Sequence, residues 1–354
     1  MAVAAFRPPA THLRRRRVLE VAVGAAVVAL VFAYFLPKIA DYRQVWTLVG
    51  TLSWPWILGL VAASALFILS NALPWLAVLP GLGFFDALRM DLAGSALSQV
   101  VPGGTAVNVA TQYGMLKSWG FEGRPVVLAV SLTTLWSQFT TFGFPVLAIA
   151  ALSLDGGHDA TLRTVALAGI VIVAALAGAF AAILSSPRLA RRLGDSAAGF
   201  ATRLNAIVHK GPPRWSGADL VRFRSEAIHL LRHRWAALTV ATLANQLTVF
   251  VVLVVSLRAF GITRFEVDVI EAFAAWSLSR ALGSIPITPG GLGVQEIALS
   301  AALVGFGAHD VAAVAATLVY RTLTFVPSVV LGLVGAATYN LDRPKPHTSP
   351  EGAS

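Results

Sequence analysis

Three charged residues stand inside otherwise apolar stretches of this sequence: Arg280, Glu296 and Arg321. A charge in such surroundings is costly, so its presence indicates a function or an internal partner. We expect Glu296 to pair with Arg280 or with Arg321. The arginine left without a partner would then be available to hold a phosphate. A purely structural ion pair is the alternative.

The tripeptide Pro-Gly-Gly occurs twice, at 102–104 and at 289–291. Proline stops a helix and glycine permits a tight reversal. The half-helix that starts at each turn directs free N–H groups inward, where an anion such as phosphate or carboxylate is the natural ligand. The candidate binding residues at these turns are Gly103, Gly104, Thr105, Asn108, Gly290 and Gly291. The alternative is that both turns are only tight packing corners.

A polar stripe accompanies these turns on a nearby helix. Its members share one helical face and are Thr133, Thr134, Ser137, Gln138 and Thr141. Such a stripe lines a polar cavity or serves as ordinary hydrogen bonding between helices. We take Thr134 and Gln138 as candidate binding residues. Asn245 and Gln246 add a second polar point in a later apolar run.

The two Pro-Gly-Gly strings belong to an internal repeat, because Pro102 and Pro289 are 187 residues apart. The same gap-free offset relates Gly120 to Gly307. The repeat units are about 54–152 and 235–338, and one further apolar run lies between them. An odd number of intervening crossings places the second unit upside down, which is the plan of many secondary transporters. An ancient duplication without a transport role is the alternative.

Composition places these elements in a membrane, since 56% of the 354 residues are hydrophobic and only 12% are charged. The chain has no Cys, so disulfides and thiolate metal sites are excluded, and we expect neither a metal nor a cofactor. The formal net charge is +10. Because the basic residues cluster beside apolar runs, we interpret this charge as the positive-inside signal and not as nucleic-acid binding.

The chain is therefore predicted to be all-α, with about six full spans and two re-entrant hairpins. The predicted spans are 18–36, 54–79, 126–152, 164–184, 235–257 and 311–337. Each half of the weaker stretches 87–119 and 271–306 would reach only roughly 22 Å as a helix, which is short for a bilayer core of about 30 Å. These stretches are expected to be hairpins that enter and leave on one side. A cleaved signal peptide is the rival interpretation of 18–36.

Charge counting also predicts the arrangement across the membrane. We expect a basic cytoplasmic arm at 1–17, an integral membrane domain at 18–340, a basic cytoplasmic loop at 186–234 and a disordered cytoplasmic tail at 341–354. Both termini are then cytoplasmic in a multi-pass protein of the cell (plasma or inner) membrane. Within the loop, the segment after Ser216 is typical of an interfacial amphipathic helix or of a plain basic connector.

The second half of the chain carries a family motif. The string SIPITPGGLGVQEIAL, followed by Tyr320 and Arg321, resembles the transmembrane region of lysylphosphatidylglycerol synthases, a family that includes YbhN-like proteins. The matching positions are Pro289, Gly290, Gly291, Gly293, Glu296, Tyr320 and Arg321, and the resemblance covers roughly 18–340. The first half departs from the pattern, because Thr105 to Asn108 carry no charge where relatives commonly have one.

The resemblance implies a protein that handles lipids. In fused relatives this region is thought to flip aminoacylated phosphatidylglycerol, which a separate C-terminal domain makes. We expect no aminoacyl transfer and no enzymatic activity here, because the sequence ends some fifteen residues after the last predicted span. The leading prediction is a flippase or transporter for a phospholipid or another anionic lipid-linked substrate. No Walker-type motif is present, so direct use of ATP is not expected.

Two other functions remain open from the sequence. One is an intramembrane enzyme that acts on lipid headgroups. The other is a non-catalytic membrane subunit that has a cell-envelope enzyme as its partner. The expected partners are membrane lipids, above all anionic phospholipids, and nucleic acid is not among them.

Overall fold

The computed structural model describes residues 49–100, 104–155, 217–285 and 288–338, together with Thr47 and individual positions between 171 and 196. Every regular element within these ranges is a helix, which confirms the all-α class. The predicted arm 1–17, the span 18–36 and the tail 341–354 lie outside the described residues. The predicted span 164–184 is described only at individual positions.

Nine α-helices are described in these ranges. They are α1 (Trp54–Ser70), α2 (Leu73–Val78), α3 (Phe84–Val100), α4 (Gly104–Ser118), α5 (Gly123–Asp155), α6 (Gly217–Ala259), α7 (Val269–Gly283), α8 (Val294–Gly305) and α9 (Asp310–Thr338). A short 3₁₀ turn at Pro289–Gly291 separates α7 from α8.

Four helical stretches are long and apolar enough to cross a bilayer: Trp54–Val78, Gly123–Ser153, Val221–Ala259 and Asp310–Ala336. They correspond to four of the six predicted spans. Their outward side chains are large and apolar, such as Leu58 at 64% and Val240 at 66% exposure. Such a surface is unfavourable in water and natural in lipid. The protein is a multi-pass membrane protein.

The first of these spans is broken between α1 and α2. Pro74 lies in the first turn of α2 and has no N–H to offer the end of α1. The side chain of Asn71 compensates, because its Nδ2 donates to the carbonyls of Phe67 at 3.1 Å and Ile68 at 3.2 Å. The break therefore places a polar, hydrogen-bonded point within an apolar span.

Two helical hairpins, α3–α4 and α7–α8, fill the stretches between the long helices. Their helices have 17, 15, 15 and 12 residues, or roughly 18–26 Å each, which is less than a bilayer core of about 30 Å. Glycine is required at the second turn, where Gly290 and Gly291 have φ of 62° and 67°. A Cβ on Gly291 would lie 2.6 Å from the carbonyl oxygen of Gly283.

The sequence repeat is also a repeat of backbone geometry. At the end of α4 the amide of Phe121 donates to the carbonyl of Leu116 at 3.2 Å. The same reversal closes α8 at an offset of 187 residues, where the amide of Ala308 donates to the carbonyl of Leu303 at 3.0 Å. The glycine before each donor has a positive φ, 89° and 115°. Both helices thus end in a Schellman motif.

The packing of the helices is reciprocal between the two units. Helix α3 of the first hairpin packs against α9, and α7 of the second hairpin packs against α5. Helix α4 contacts α5, as α8 contacts α9, and α1 packs against α6. Helices α1, α3, α4 and α5 of the first unit thus correspond to α6, α7, α8 and α9 of the second. Replacing each of these helices by its counterpart gives the same set of contacts.

The hairpins open at opposite ends of α6. At the base of the first hairpin, Arg124 lies 3.9 Å from Glu226 near the start of α6. At the other end of α6, Arg258 donates to the carbonyls of Ile262 at 2.5 Å and Val267 at 3.2 Å, which precede the second hairpin. The two bases are therefore separated by the whole apolar length of α6.

Helix α6 also connects the two apolar cores. Leu238 lies in the core of the first unit with Met90 and Leu116, whereas Leu253 lies in the core of the second unit with Trp276. The basic segment from position 217 is the first part of α6 and not a separate interfacial helix. Its apolar face packs against the first core, where Ala227 is 1% exposed.

Candidate functional site

A polar cavity of about 290 Å³ lies between the first unit and helices α6 and α7. Six helices, α2 to α7, and Asn71 at the break between α1 and α2 contribute to its wall. The polar lining residues are Asn71 and Trp75 of α1–α2, Asp91 and Ser95 of α3, Asn108 and Gln112 of α4, Thr133, Thr134, Ser137, Gln138 and Thr141 of α5, Asn245 and Gln246 of α6, and Arg280 of α7. A polar wall among otherwise apolar helices indicates a ligand site.

Arg280 is the cation of this cavity. Its Nη2 donates to Oε1 of Gln246 at 2.9 Å, and its Cζ lies 5.2 Å from the ring centre of Trp276. That indole is fixed in turn, because its Nε1 donates to the hydroxyl of Tyr320 at 3.0 Å. No carboxylate among the described residues forms a salt bridge with Arg280. Neutral groups thus position this guanidinium.

Asp91 is the anion of the same cavity. Its Oδ1 accepts hydrogen bonds from Nε1 of Trp75 at 2.9 Å and from Nε2 of Gln112 at 3.4 Å. Within the part of the chain that the structure describes, Asp91 forms no salt bridge. The carboxylate is therefore held by neutral donors, as the guanidinium is held by a neutral acceptor.

Asn108 contributes an unused acceptor. Its Oδ1 is buried and has no hydrogen-bond partner among the described residues. The oxygen lies directly against Gly94, where a Cβ would overlap it, and Gly94 is one turn along α3 from Asp91. A buried acceptor without a donor is costly, so this oxygen is available to a hydrogen-bond donor that enters the cavity.

Hydrogen bonds between the first spans of the two units support one side of the cavity. Nδ2 of Asn245 donates to Oγ of Ser70 at 3.0 Å and to Oδ1 of Asn71 at 3.2 Å. The hydroxyls of Ser70 and Thr248 are 2.8 Å apart. These bonds fix α1 against α6 at the break between α1 and α2.

The predicted ion pair of Glu296 is confirmed, and its partner is Arg321. Arg321 Nε lies 2.6 Å from Oε1 of Glu296, and Arg321 Nη2 donates to the carbonyl of Gly290 at 3.3 Å. The second carboxylate oxygen accepts the amide of Gly293 at 2.7 Å. The pair thus ties α9 to the second Pro-Gly-Gly turn, and neither residue is part of the cavity wall.

The cavity brings together four of the eleven candidate binding residues: Asn108, Thr134, Gln138 and Arg280. Gly290, Gly291, Glu296 and Arg321 form the separate cluster at the second turn. Gly104 and Thr105 lie in the first turn of α4, and Gly103 lies outside the described residues.

Sequence reasoning did not select Asp91 or Gln112, although a signal for them exists. Asp91 and Ser95 are four residues apart on α3, as are Asn108 and Gln112 on α4. Each spacing places two polar side chains on one helical face. Two such faces within one predicted hairpin indicate a shared polar wall.

The model of one protein family, described as the lysylphosphatidylglycerol synthase TM region, matches residues 19–332. The chain belongs to this family. The match covers the first unit, the second unit up to position 332 and the whole cavity wall, and it confirms the resemblance drawn from the second Pro-Gly-Gly motif. A comparison with curated proteins finds no match. Membership supports a lipid-related role in the membrane.

Proposed function

We propose that the protein is a flippase that moves an anionic phospholipid, or another anionic lipid-linked substrate, between leaflets. The observation that carries this proposal is Arg280, a guanidinium without a carboxylate partner among the described residues, in a polar cavity between two helical units. A guanidinium matches the geometry of a phosphate oxygen pair and binds it with charge-assisted hydrogen bonds.

The remaining wall suits the polar part of a headgroup. The α5 face presents the hydroxyls of Thr134 and Ser137 and the amide of Gln138. These groups both donate and accept hydrogen bonds, so they can replace the water around a glycerol or sugar hydroxyl. A headgroup bound here would leave its acyl chains to the apolar surroundings of the long helices.

The moving parts in this proposal are the two hairpins, as re-entrant elements of an inverted repeat. Their short helices, their openings at opposite ends of α6 and the reciprocal packing of the units support this arrangement. In transporters of this plan, one repeat rocks against the other around a site near the bilayer midplane. We place the protein in the cell membrane with the first hairpin and both termini facing the cytoplasm, according to the distribution of Lys and Arg.

This function is transport and not catalysis. Of the two alternatives from the sequence, a headgroup enzyme would convert a lipid chemically, and a non-catalytic subunit would require a cell-envelope enzyme for any effect. A flippase moves lipid by itself and leaves it chemically unchanged. These three outcomes can be separated with pure protein.

The test is the movement of labelled phosphatidylglycerol by the purified protein in liposomes. Arg280→Gln is expected to slow movement by at least about tenfold, since a hydrogen bond to a charged group contributes roughly 1.5–3 kcal/mol. Arg280→Lys keeps the positive charge but loses the paired N–H donors of the guanidinium, and it should retain part of the rate of lipid movement. Arg264→Gln, in the exposed loop before α7, is the matched control and should behave as wild type.

Other results would point elsewhere. If folded wild-type protein moves no phospholipid of any headgroup, the flippase proposal fails and the subunit alternative gains support. If mass spectrometry finds a chemically altered lipid after incubation with pure protein, the enzyme alternative gains support. If Arg280→Gln moves lipid as fast as Arg264→Gln, the site lies elsewhere.

A further inference from the structure

The cavity contains one ionisable residue of each sign. Asp91 and Arg280 are the only titratable side chains among the residues that line it, and the remainder are amides, hydroxyls and neutral apolar or aromatic groups. The two residues come from different hairpins, α3 and α7, and among the described residues each side chain is hydrogen bonded to neutral partners alone. The two formal charges are opposite, so together they add to zero within this cavity.

Other ionisable residues are near Asp91 in the fold but are not part of this wall. Helix α3 packs against α2, α4, α9 and the 3₁₀ turn. Helix α2 and the turn contain no ionisable residue. The titratable residues of the other packed elements and of α3 itself are Asp86, Arg89, Tyr113, Lys117, Asp310, Tyr320 and Arg321, and none of them lines the cavity. Arg89 Nε donates to the carbonyl of Gly335, and Arg321 is paired with Glu296.

The net charge of the cavity must stay close to zero, because an uncompensated charge in surroundings of low polarity is strongly unfavourable. The empty cavity is neutral when Asp91 is ionised and Arg280 is protonated. A phosphodiester bound at Arg280 brings one negative charge. The loaded cavity is then neutral only if Asp91 has taken up a proton.

We propose that Asp91 is the proton-binding residue of this protein, and that one proton enters the cavity with each anionic headgroup. The proton moves from the aqueous phase to the carboxylate of Asp91 and returns to water when the headgroup leaves. This proposal rests on the proposed function, because it assigns the coupling ion of the same site.

The wall also contains a group suited to a protonated Asp91. A neutral carboxyl has an O–H that must donate to an acceptor. Oδ1 of Asn108 is such an acceptor, buried without a partner among the described residues and lying against Gly94 on the next turn of α3.

The direction of net movement follows from the coupling. Both the empty and the loaded cavity are neutral, so each can change sides without moving charge through the membrane. Where the proton gradient points inward, the proton that accompanies the headgroup drives the anionic lipid from the outer to the inner leaflet. A zwitterionic lipid carries no net charge, so it needs no proton and is not driven by the gradient.

The experiment is a calorimetric titration of the full chain in detergent with dihexanoylphosphatidylglycerol, in two buffers of different ionisation enthalpy at neutral pH. The dependence of the measured heat on the buffer gives the number of protons bound. We expect a net uptake approaching about one proton per phosphatidylglycerol and tighter binding at lower pH. Dihexanoylphosphatidylcholine should bind without proton uptake, and this comparison needs no variant.

Variants identify the residue that takes up the proton. Asp91→Asn resembles the protonated acid, and it should bind phosphatidylglycerol with an affinity independent of pH and with no proton uptake. Asp91→Glu keeps a titratable group and should retain the uptake. Asp86→Asn, on the same helix but outside the cavity, is the matched control and should behave as wild type.

The proposal is overturned if wild-type protein binds phosphatidylglycerol without proton uptake, if Asp91→Asn takes up as many protons as wild type, or if phosphatidylglycerol does not bind at all. Binding is measured here without lipid movement, so the two proposals fail separately. Proton-linked binding with no flipping in liposomes contradicts the flippase function alone. Flipping that is unaffected by a pH gradient contradicts the coupling alone.

Discussion

Two arginines of this membrane protein show how surroundings decide a residue's role. Arg321 bonds to Glu296 and to the carbonyl of Gly290, so its charge is compensated within the protein. Among the described residues, the Arg280 side chain bonds to the neutral amide of Gln246 alone and lies over Trp276. The first arrangement ties α9 to the second Pro-Gly-Gly turn, and in the second, neutral groups position a guanidinium in the cavity wall.

The Glu296–Arg321 pair is expected to contribute mainly to stability. Its side chains are 5% and 14% exposed, and removing one partner of a buried pair costs roughly 3–5 kcal/mol. Glu296→Gln should therefore lower the thermal unfolding midpoint in detergent clearly. Adding Arg321→Met to it should cost less than the two single changes together, because no unpaired charge then remains.

The rate of lipid movement distinguishes this structural role of Glu296 from a role in lipid binding. Glu296→Gln protein that remains folded should still flip phospholipid at a rate close to wild type, because Glu296 does not line the cavity. A folded variant that no longer moves lipid would place Glu296 in the binding site instead. The rate must be normalised to the folded fraction for this comparison.

Among the elements, the contact between α3 and α9 depends on Gly332. A Cβ at this position would overlap the carbonyl oxygen of Leu92 and lie 2.6 Å from Cβ of Ala96. Close approach of two helices in a membrane requires such small residues. This contact holds the first hairpin, and with it Asp91, against the last helix of the second unit.

Gly332→Ala should destabilise the protein by about 1–3 kcal/mol, because the added methyl group forces α3 away from α9. The matched control is Gly143→Ala on α5, where a Cβ would meet nothing within 4 Å. The control should be neutral or slightly stabilising, since alanine favours a helix. Equal unfolding midpoints for the two variants would show that α3 and α9 are not in close contact in the membrane.

At the scale of the whole molecule, the two hairpins should open on opposite sides of the membrane. The chain has no Cys, so a single introduced cysteine is its only thiol. Arg264→Cys, before α7, is expected to react with a membrane-impermeant maleimide in intact cells. Glu122→Cys, between α4 and α5, should react only after the cells are opened.

Both positions are exposed in the structure, so a lack of reaction reflects the membrane and not burial. Labelling of both from the same side would contradict the inverted arrangement of the units. Labelling of each from the reverse side would keep the inversion and contradict only the predicted orientation. The positive-inside distribution of Lys and Arg would then have been misleading.

Much of the fold followed from the sequence because its determinants are local. Apolar length predicted the spans near 54–79, 126–152, 235–257 and 311–337, and the structure has long apolar helices at each of them. Proline and glycine at 289–291 predicted the reversal, since these residues act on their own backbone. The same logic predicted an ion pair for Glu296, because a carboxylate among apolar residues needs a partner.

The tertiary structure alone decided which residues share the site. From the sequence, either Arg280 or Arg321 could pair with Glu296. The packing of α9 on the second turn pairs Glu296 with Arg321, and Arg280 lines the cavity instead. Asp91 and Arg280 are 189 positions apart and share a wall because six helices meet there. Local sequence patterns determine where helices and turns form. The pairing of one charge with another depends on distances that only the packing of the helices sets.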